Sequence, residues 1–467
     1  MPVDSDQTEF ALLPETTYKY TATPFMESAM AKWEVPRDAT ACTNEYGVAM
    51  TMSVTAFSNE RALAADPLVD TGLTEFAASD LVICQSKTAR EAVETLAKIL
   101  DNFGSSEVNI ALFADQNEAW YMEMYTGHQY AAVKLPDDQV SMFGNEFTME
   151  YLSDYEDCIV SDGLFSLPEE NGFAVYGKSE KNESELNLFD TYSGNEMTKA
   201  YSHMRTWIGH QLMAPEAYAK DYDAMERYPL CFTPEKQVSL KDVLTMIRNR
   251  FEGTQYSPDE TGRIDMRVVG TDTALSVHAI QVYPDLPAHM SCVTWESTGP
   301  ALYGVFVPFS NASTAVHEAY GADQPAKETG KFDTEHYPYY TFKGLCTECV
   351  AAKDVPTYGI PVRQYWAEAE SGMIGGMKTV LEHVAQMEDQ AMAQEFITEY
   401  CVNMQGQAFS DAKELYNTVL YNKAKNSNTM KVGRNPETGE YLTTERKLDP
   451  IEIKLDASVY QEIPEMP

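Results

Sequence analysis

A chain of 467 residues, 44% apolar and 23% charged, has the composition of a folded globular protein, which excludes wholesale disorder, a collagen-like rod and a disulfide-framework miniprotein. Its 34 Lys and Arg stand against 72 Asp and Glu, a formal charge of −38. A field of that sign repels phosphates, so neither nucleic acid nor an anionic membrane is an expected partner. There is no run of 18 apolar residues, and Met1 to Phe10 is polar and acidic without an apolar export core, so a cytoplasmic location is expected.

In chain order, the first 40 residues show little periodicity and are punctuated by Pro14, Pro24 and Pro36. Val48 to Thr55 is nearly continuous in apolar and small residues, which predicts a buried strand. Lys87 to Phe103 predicts an amphipathic helix, because Ala89, Ala92, Val93, Leu96, Ile99 and Leu100 share a face and Gly104 can end it. Val108 to Phe113 and Ala119 to Tyr125 predict two strands around a turn-rich connector. Gln129 to Leu135 and Gln139 to Phe143 continue as short strands. Asn195 to Leu212 and Ser239 to Phe251 read as helices, the second capped by Ser239. Ala274 to Val282, Met290 to Glu296 and Leu302 to Val307 are three further strands. Gly359 to Asn422 is mostly helical, and the tail after Lys423 is polar, with turn signals at Asn435-Pro436 and Thr438-Gly439. Hairpins without βαβ alternation predict an α+β fold, most simply two antiparallel sheets stacked face to face with helices outside.

Several chemistries lack their motif. His317-Glu318 is not followed by the second His of a zincin helix, no Gly-x-Ser-x-Gly elbow occurs, and Gly372 to Thr379 misses the phosphate-loop spacing. Cys346 and Cys349 form a lone C-x-x-C pair, read as a loop with two thiols rather than a zinc site. His203 and His210 lie seven apart on one helical face and suit surface or core roles. No metal or other cofactor is expected.

A set of collinear segments carries a resemblance. Asn44-Glu-Tyr-Gly-Val-Ala-Met, Ala64-Ala-Asp-Pro67, Lys87-Thr-Ala-Arg-Glu-Ala-Val, Asp115 to Met124, Thr126-Gly-His-Gln-Tyr130, Lys134 to Asp138 and His278 to Pro287 occur in order. Together they resemble the cysteine dipeptidases of the dipeptidase A and secernin family, N-terminal-nucleophile hydrolases related to penicillin V acylase and bile salt hydrolase. The resemblance implies a four-layer αββα sandwich and small dipeptide substrates. It also implies an N-terminal Cys whose α-amine acts as base, at a pKa of about 7.7–8.0, and whose thiol forms a thioester.

That nucleophile is not among the residues here: the chain opens Met1-Pro2-Val3, and its first cysteine, Cys42, lies inside the matching region. The expectation is an N-terminally truncated enzyme, inactive as it stands, lacking roughly 20–40 residues, a hairpin's worth. If an inner strand is lost, Val48 to Thr55 becomes its open neighbour. The alternatives are an inactive family member serving as a binding or structural protein, and an acylase on non-peptide amides. Two site residues carry over. Asn145 falls where the family has an oxyanion or positioning amide, against a plain turn Asn. Arg205 falls where a cation would favour the thiolate, against an exposed helical Arg in an ion pair. The expected divisions are 1–358 as the sandwich domain, 359–425 as a helical extension and 426–467 as a polar tail. A homo-oligomer is allowed.

Overall fold

The computed structural model describes residues 14, 16–24, 39–54, 56–194, 202–218, 220–263, 265–321, 332–426 and 429–464. Two compact units divide the chain. The first holds Met1–Met246, Ile280–Thr294 and Ser310–Ala312; the second holds Ile247–Ala279, Trp295–Phe309 and Ser313–Pro467.

The first unit is built on a seven-stranded antiparallel sheet. Its strands are β1 (Tyr20–Pro24), β2 (Ala39–Asn44), β3 (Ala49–Val54), β4 (Asn109–Ala114), β5 (Ala119–Met124) and β6 (Tyr130–Lys134), in spatial order. β7 (Val140–Ser141) leaves this sheet to pair with Cys231–Phe232, and β8 (Cys158–Val160) returns to pair with β6. The β4–β5 hairpin pairs Asn109 with Met124 through Ala114 with Ala119. Asp115 closes it: its Oδ1 accepts from the Asn117 and Glu118 amides, at 2.7 and 3.0 Å. Its Oδ2 accepts from Ala89 N, at 2.7 Å, at the start of helix Ala89–Phe103.

Both faces of the sheet are buried, so its central strands read as continuous apolar runs rather than alternating ones. Met50, Met52, Phe113, Trp120, Met122 and Met124 face helices Glu75–Ile83 and Ala89–Phe103. Ile110, Tyr121, Tyr125, Ala131 and Val133 face the other way, toward Phe147, Met149, Leu164 and Tyr192. Asn44 pins the β2–β3 turn. Its Oδ1 accepts from Tyr46 N and Val48 N, and its Nδ2 donates to the carbonyls of Ile83 and Ser86. The turn needs glycine at Gly47, where φ is +75° and a Cβ would fall 2.4 Å from Ser291 Oγ.

In the second unit, helices Pro338–Cys349, Ile360–Val384 and Gln390–Lys425 dominate. Asp411 ties them to the chain's last turn by accepting from Tyr365 Oη at 2.5 Å and Tyr460 Oη at 2.8 Å. Thr429–Arg434 and Tyr441–Glu445 form an antiparallel hairpin. Ser276–Val282, Cys292–Thr298 and Val307–Ser310 are further strands.

Several expectations are corrected. β3 is flanked by β2 and β4, so Val48 to Thr55 holds no open edge within its described part; among the described residues the sheet ends at β1 and β8. Cys346 and Cys349 sit not on a loop but on a helix, both buried. The helix expected from Asn195 is described from Met204 to Met213, with 195–201 outside the described residues. The helix opening at Ser239 ends at Ile247. The strand expected over Leu302 to Val307 occurs at Val307–Ser310, because the carbonyls of Ala301 and Gly304 accept from the Arg248 guanidinium instead.

Candidate active site

After β7 the chain runs through Gly144, Asn145 and Glu146 and back across the sheet. Two anchors fix this segment. Beneath it, Glu123 on β5 is wholly buried. Its Oε1 accepts from Thr148 N at 2.7 Å, Met149 N at 3.2 Å and Tyr121 Oη at 2.6 Å, and its Oε2 accepts from Tyr125 Oη at 2.9 Å. Burial pushes the Glu123 carboxyl up to about 7, against the pull of those donors. The second anchor is the helix Met204–Met213. Gly144 N donates to Thr206 Oγ1 at 2.9 Å, and the backbones come so close that a Cβ on Gly144 would lie 2.4 Å from the Ser202 carbonyl oxygen.

That approach brings the two expected site residues together. Arg205 Nη2 donates to Asn145 Oδ1 at 2.5 Å and to Ser202 Oγ at 3.2 Å, joining positions 60 apart in sequence. A guanidinium only donates, so it fixes the amide with its oxygen toward the cation. Burial lowers the Arg205 pKa to about 10, with the Glu146 carboxylate opposing the shift, so the side chain remains a cation at neutral pH.

Glu146, His203 and Thr206 complete the cluster, and the sequence reading did not select any of them as site residues. His203 Nδ1 lies 3.1 and 3.2 Å from the two Glu146 carboxylate oxygens, and its Nε2 lies 3.0 Å from the Glu226 carbonyl oxygen. Both ring nitrogens thus face acceptors. Thr206 Oγ1 donates to Glu146 Oε1. Glu146 and His203 line a cavity of about 690 Å³, together with Asn59, Arg61, Phe173 and Arg227. That volume lies within the ~300–1,000 Å³ typical of small-ligand sites. Asn145 and Arg205 are not among the residues that line this cavity. His210, the partner of His203 in the helical spacing, is a buried core residue stacked on Phe232 with ring centroids 4.0 Å apart. The signal for Glu123 was a lone charge within the apolar run Ala119 to Met124; a pair such as Glu146 and His203, 57 residues apart, leaves no mark in local sequence.

Among the described residues no group of three or more His, Cys, Asp or Glu side chains is placed to hold a metal ion, and no helix is long and apolar enough to cross a membrane.

This chain belongs to peptidase family C69, whose model matches residues 4–352. Among curated proteins it is similar to the probable dipeptidase B of Streptococcus pyogenes serotype M1, at 28% identity over 326 residues covering 66% of this chain and 62% of the relative. It is also similar to the probable dipeptidase B of Lactococcus lactis subsp. lactis strain IL1403, at 30% identity over 69% of this chain and 66% of the relative. The dipeptidase of Bifidobacterium longum strain NCC 2705 matches at 27% identity over 64% of this chain and 60% of the relative. The match thus spans less than two thirds of the length of these relatives.

Proposed function

We propose that the protein functions in the hydrolysis of dipeptides through an N-terminal cysteine thioester, on an αββα scaffold. In this reading 1–358 is the sandwich domain, 359–425 a helical extension and 426–467 a polar tail. The observation that carries the site assignment is the contact between Arg205 and Asn145. The thiolate adds to the peptide carbonyl carbon, the C–N bond breaks, the α-amino group returns the proton to the leaving amine, and water releases the acyl half. Asn145 donates an N–H to the oxyanion, and Arg205 both orients that amide and favours the thiolate by charge. The neighbouring cavity is lined by charge of both signs, Arg61 and Glu146 beside an Arg227 paired with Asp190 at 2.6 Å, which supports a small polar substrate. The family and the names of the relatives support peptide chemistry.

The test is an assay of dipeptides and of N-acyl amides on two forms, the 467-residue polypeptide and a form carrying the N-terminal cysteine. Dipeptide turnover is expected from the second form alone. In that form Arg205→Lys, which keeps the charge and loses the planar fork, should cut kcat/KM at least ~tenfold, or about 1.4 kcal/mol. The thiol pKa from alkylation rates should rise. Asn145→Ala should lower kcat roughly a hundredfold with little change in that pKa. Wild-type rates and thiol pKa in Arg205→Ala would return Arg205 to a structural role. Turnover of amides but not dipeptides would make the protein an acylase, and binding without turnover of either an inactive family member.

A further inference from the structure

We infer, on the dipeptidase reading, that Arg61 holds the free C-terminal carboxylate of the substrate, with the apolar side chain of its second residue laid against Phe173 and Val175. All three line the cavity that Glu146 and His203 also wall, and Glu146 follows Asn145 directly in the chain. The cations of this cavity are not equivalent. Arg227 is neutralised: its Nη2 lies 2.6 Å from Asp190 Oδ1 and its Nη1 3.9 Å from Glu150 Oε1. His203 has an acceptor at each ring nitrogen. Arg61 meets neutral groups instead. Its Nη2 donates to the Gly172 carbonyl oxygen, and its guanidinium carbon stands 5.9 Å from the centre of the Phe173 ring.

Among the described arginines of the first unit, Arg90 and Arg227 pair with carboxylates and Arg205 stands in the field of Glu146. Arg61 has no carboxylate partner among the described residues, on a chain with 72 acids and 34 bases. Its backbone is held in place. Asn59 Oδ1 accepts from Arg61 N at 3.1 Å and from Ala62 N at 3.0 Å, while Asn59 Nδ2 donates to the Thr191 carbonyl oxygen at 2.7 Å. A guanidinium carries five N–H donors in one plane and takes a carboxylate through two parallel bonds, and the Gly172 carbonyl occupies one donor. The excess of acids disfavours a ligand with negative charge alone. A dipeptide with free ends has no net charge, and its ammonium suits the acids of the same wall, such as Glu60 and Glu226.

Titration calorimetry of the 467-residue chain with alanyl-phenylalanine and with its C-terminal amide tests this without turnover. The long-range field favours the cationic amide, so a preference for the acid has to come from a local cation. Wild type should bind the acid at least ~tenfold more tightly than the amide. Arg61→Gln should abolish that preference by weakening the acid alone, and Arg61→Lys, which keeps the charge and loses the planar fork, should retain roughly threefold. Arg61 is exposed, so both variants should unfold at the wild-type temperature. Equal or undetectable binding of the two probes by wild type overturns the proposal, as does a preference that survives Arg61→Gln or a variant that weakens both probes alike. The dipeptidase reading fails separately: no turnover in the cysteine-bearing form removes it, while a preference lost in Arg61→Gln still leaves Arg61 as a carboxylate site.

Discussion

Glu123 and Glu370 are both buried carboxylates, one in each unit, and they are held in opposite ways. Glu123 is cradled by neutral donors alone, two tyrosine hydroxyls and two backbone amides. Glu370 faces a full cation: Arg248 Nη1 donates to its Oε2 at 3.0 Å, Arg248 Nη2 donates to its Oε1, and Phe306 N adds a further bond at 2.8 Å. A neutral cradle does not cancel the cost of burying charge, which is why the Glu123 carboxyl titrates near neutrality. An ion pair with satisfied hydrogen bonds cancels most of that cost but makes each partner depend on the other. The difference teaches that depth of burial alone does not set the behaviour of a carboxylate; the charge on its donors does.

The largest break in this comparison should come from Arg248→Ala. It strips Glu370 of its cation and leaves the carbonyls of Ala301 and Gly304 without this donor. A loss of about 3–5 kcal/mol is expected in urea unfolding, and Glu370→Gln in the same background should recover part of it. A loss under about 1 kcal/mol would show the pair to be dispensable.

Next in size is a pH effect at Glu123. Its folded pKa, about 7, lies above the unfolded value of 4.5. Folding therefore favours the protonated form; that stabilisation is complete below about pH 4 and is lost as pH rises through 7. Between those limits wild type should lose roughly 3 kcal/mol relative to Glu123→Gln, which does not titrate. Parallel stability curves for the two would contradict the neutral-cradle account. The smallest effect belongs to Tyr125→Phe, which keeps the ring stacked on Tyr192 at 4.6 Å and removes one hydroxyl from the carboxylate. It should cost about 1.5 kcal/mol above pH 7, less below pH 5, and move the Glu123 midpoint upward. Unfolding curves at the two pH values measure it.

The sequence was most legible where one face of an element differs from the other or where a turn has its own chemistry. Helix Ala89–Phe103 showed its buried stripe, and Gly104 marked its end. Strands β4 to β6 showed through the turn at Asp115. Helix Glu75–Ile83 did not, because Phe76 through Ile83 are all buried and no polar face breaks the run. The hairpin at Thr429–Glu445 was hidden for the opposite reason. Its turn signals were visible, but both faces are exposed and its strands do not alternate. At the candidate site, Asn145 and Arg205 were proposed through family resemblance alone. Their contact was not, because it joins positions 60 apart and depends on Gly144 letting its backbone approach that of Ser202.

The placement of the cysteines turns the native chain into its own kinetic clock. Cys42, Cys84 and Cys292 are buried in the first unit, and Cys346, Cys349 and Cys401 in the second, while Cys158 is exposed. Burial pushes the thiols of Cys84, Cys292, Cys346 and Cys349 up to about 12, so they are neither accessible nor ionised while folded. Labelling with an alkylating reagent therefore reaches exposed Cys158 and half-buried Cys231 in the native chain, and each buried trio only when its own unit opens. Peptide mapping of the label then times the opening of the two units separately, in a single tube and without a single engineered residue.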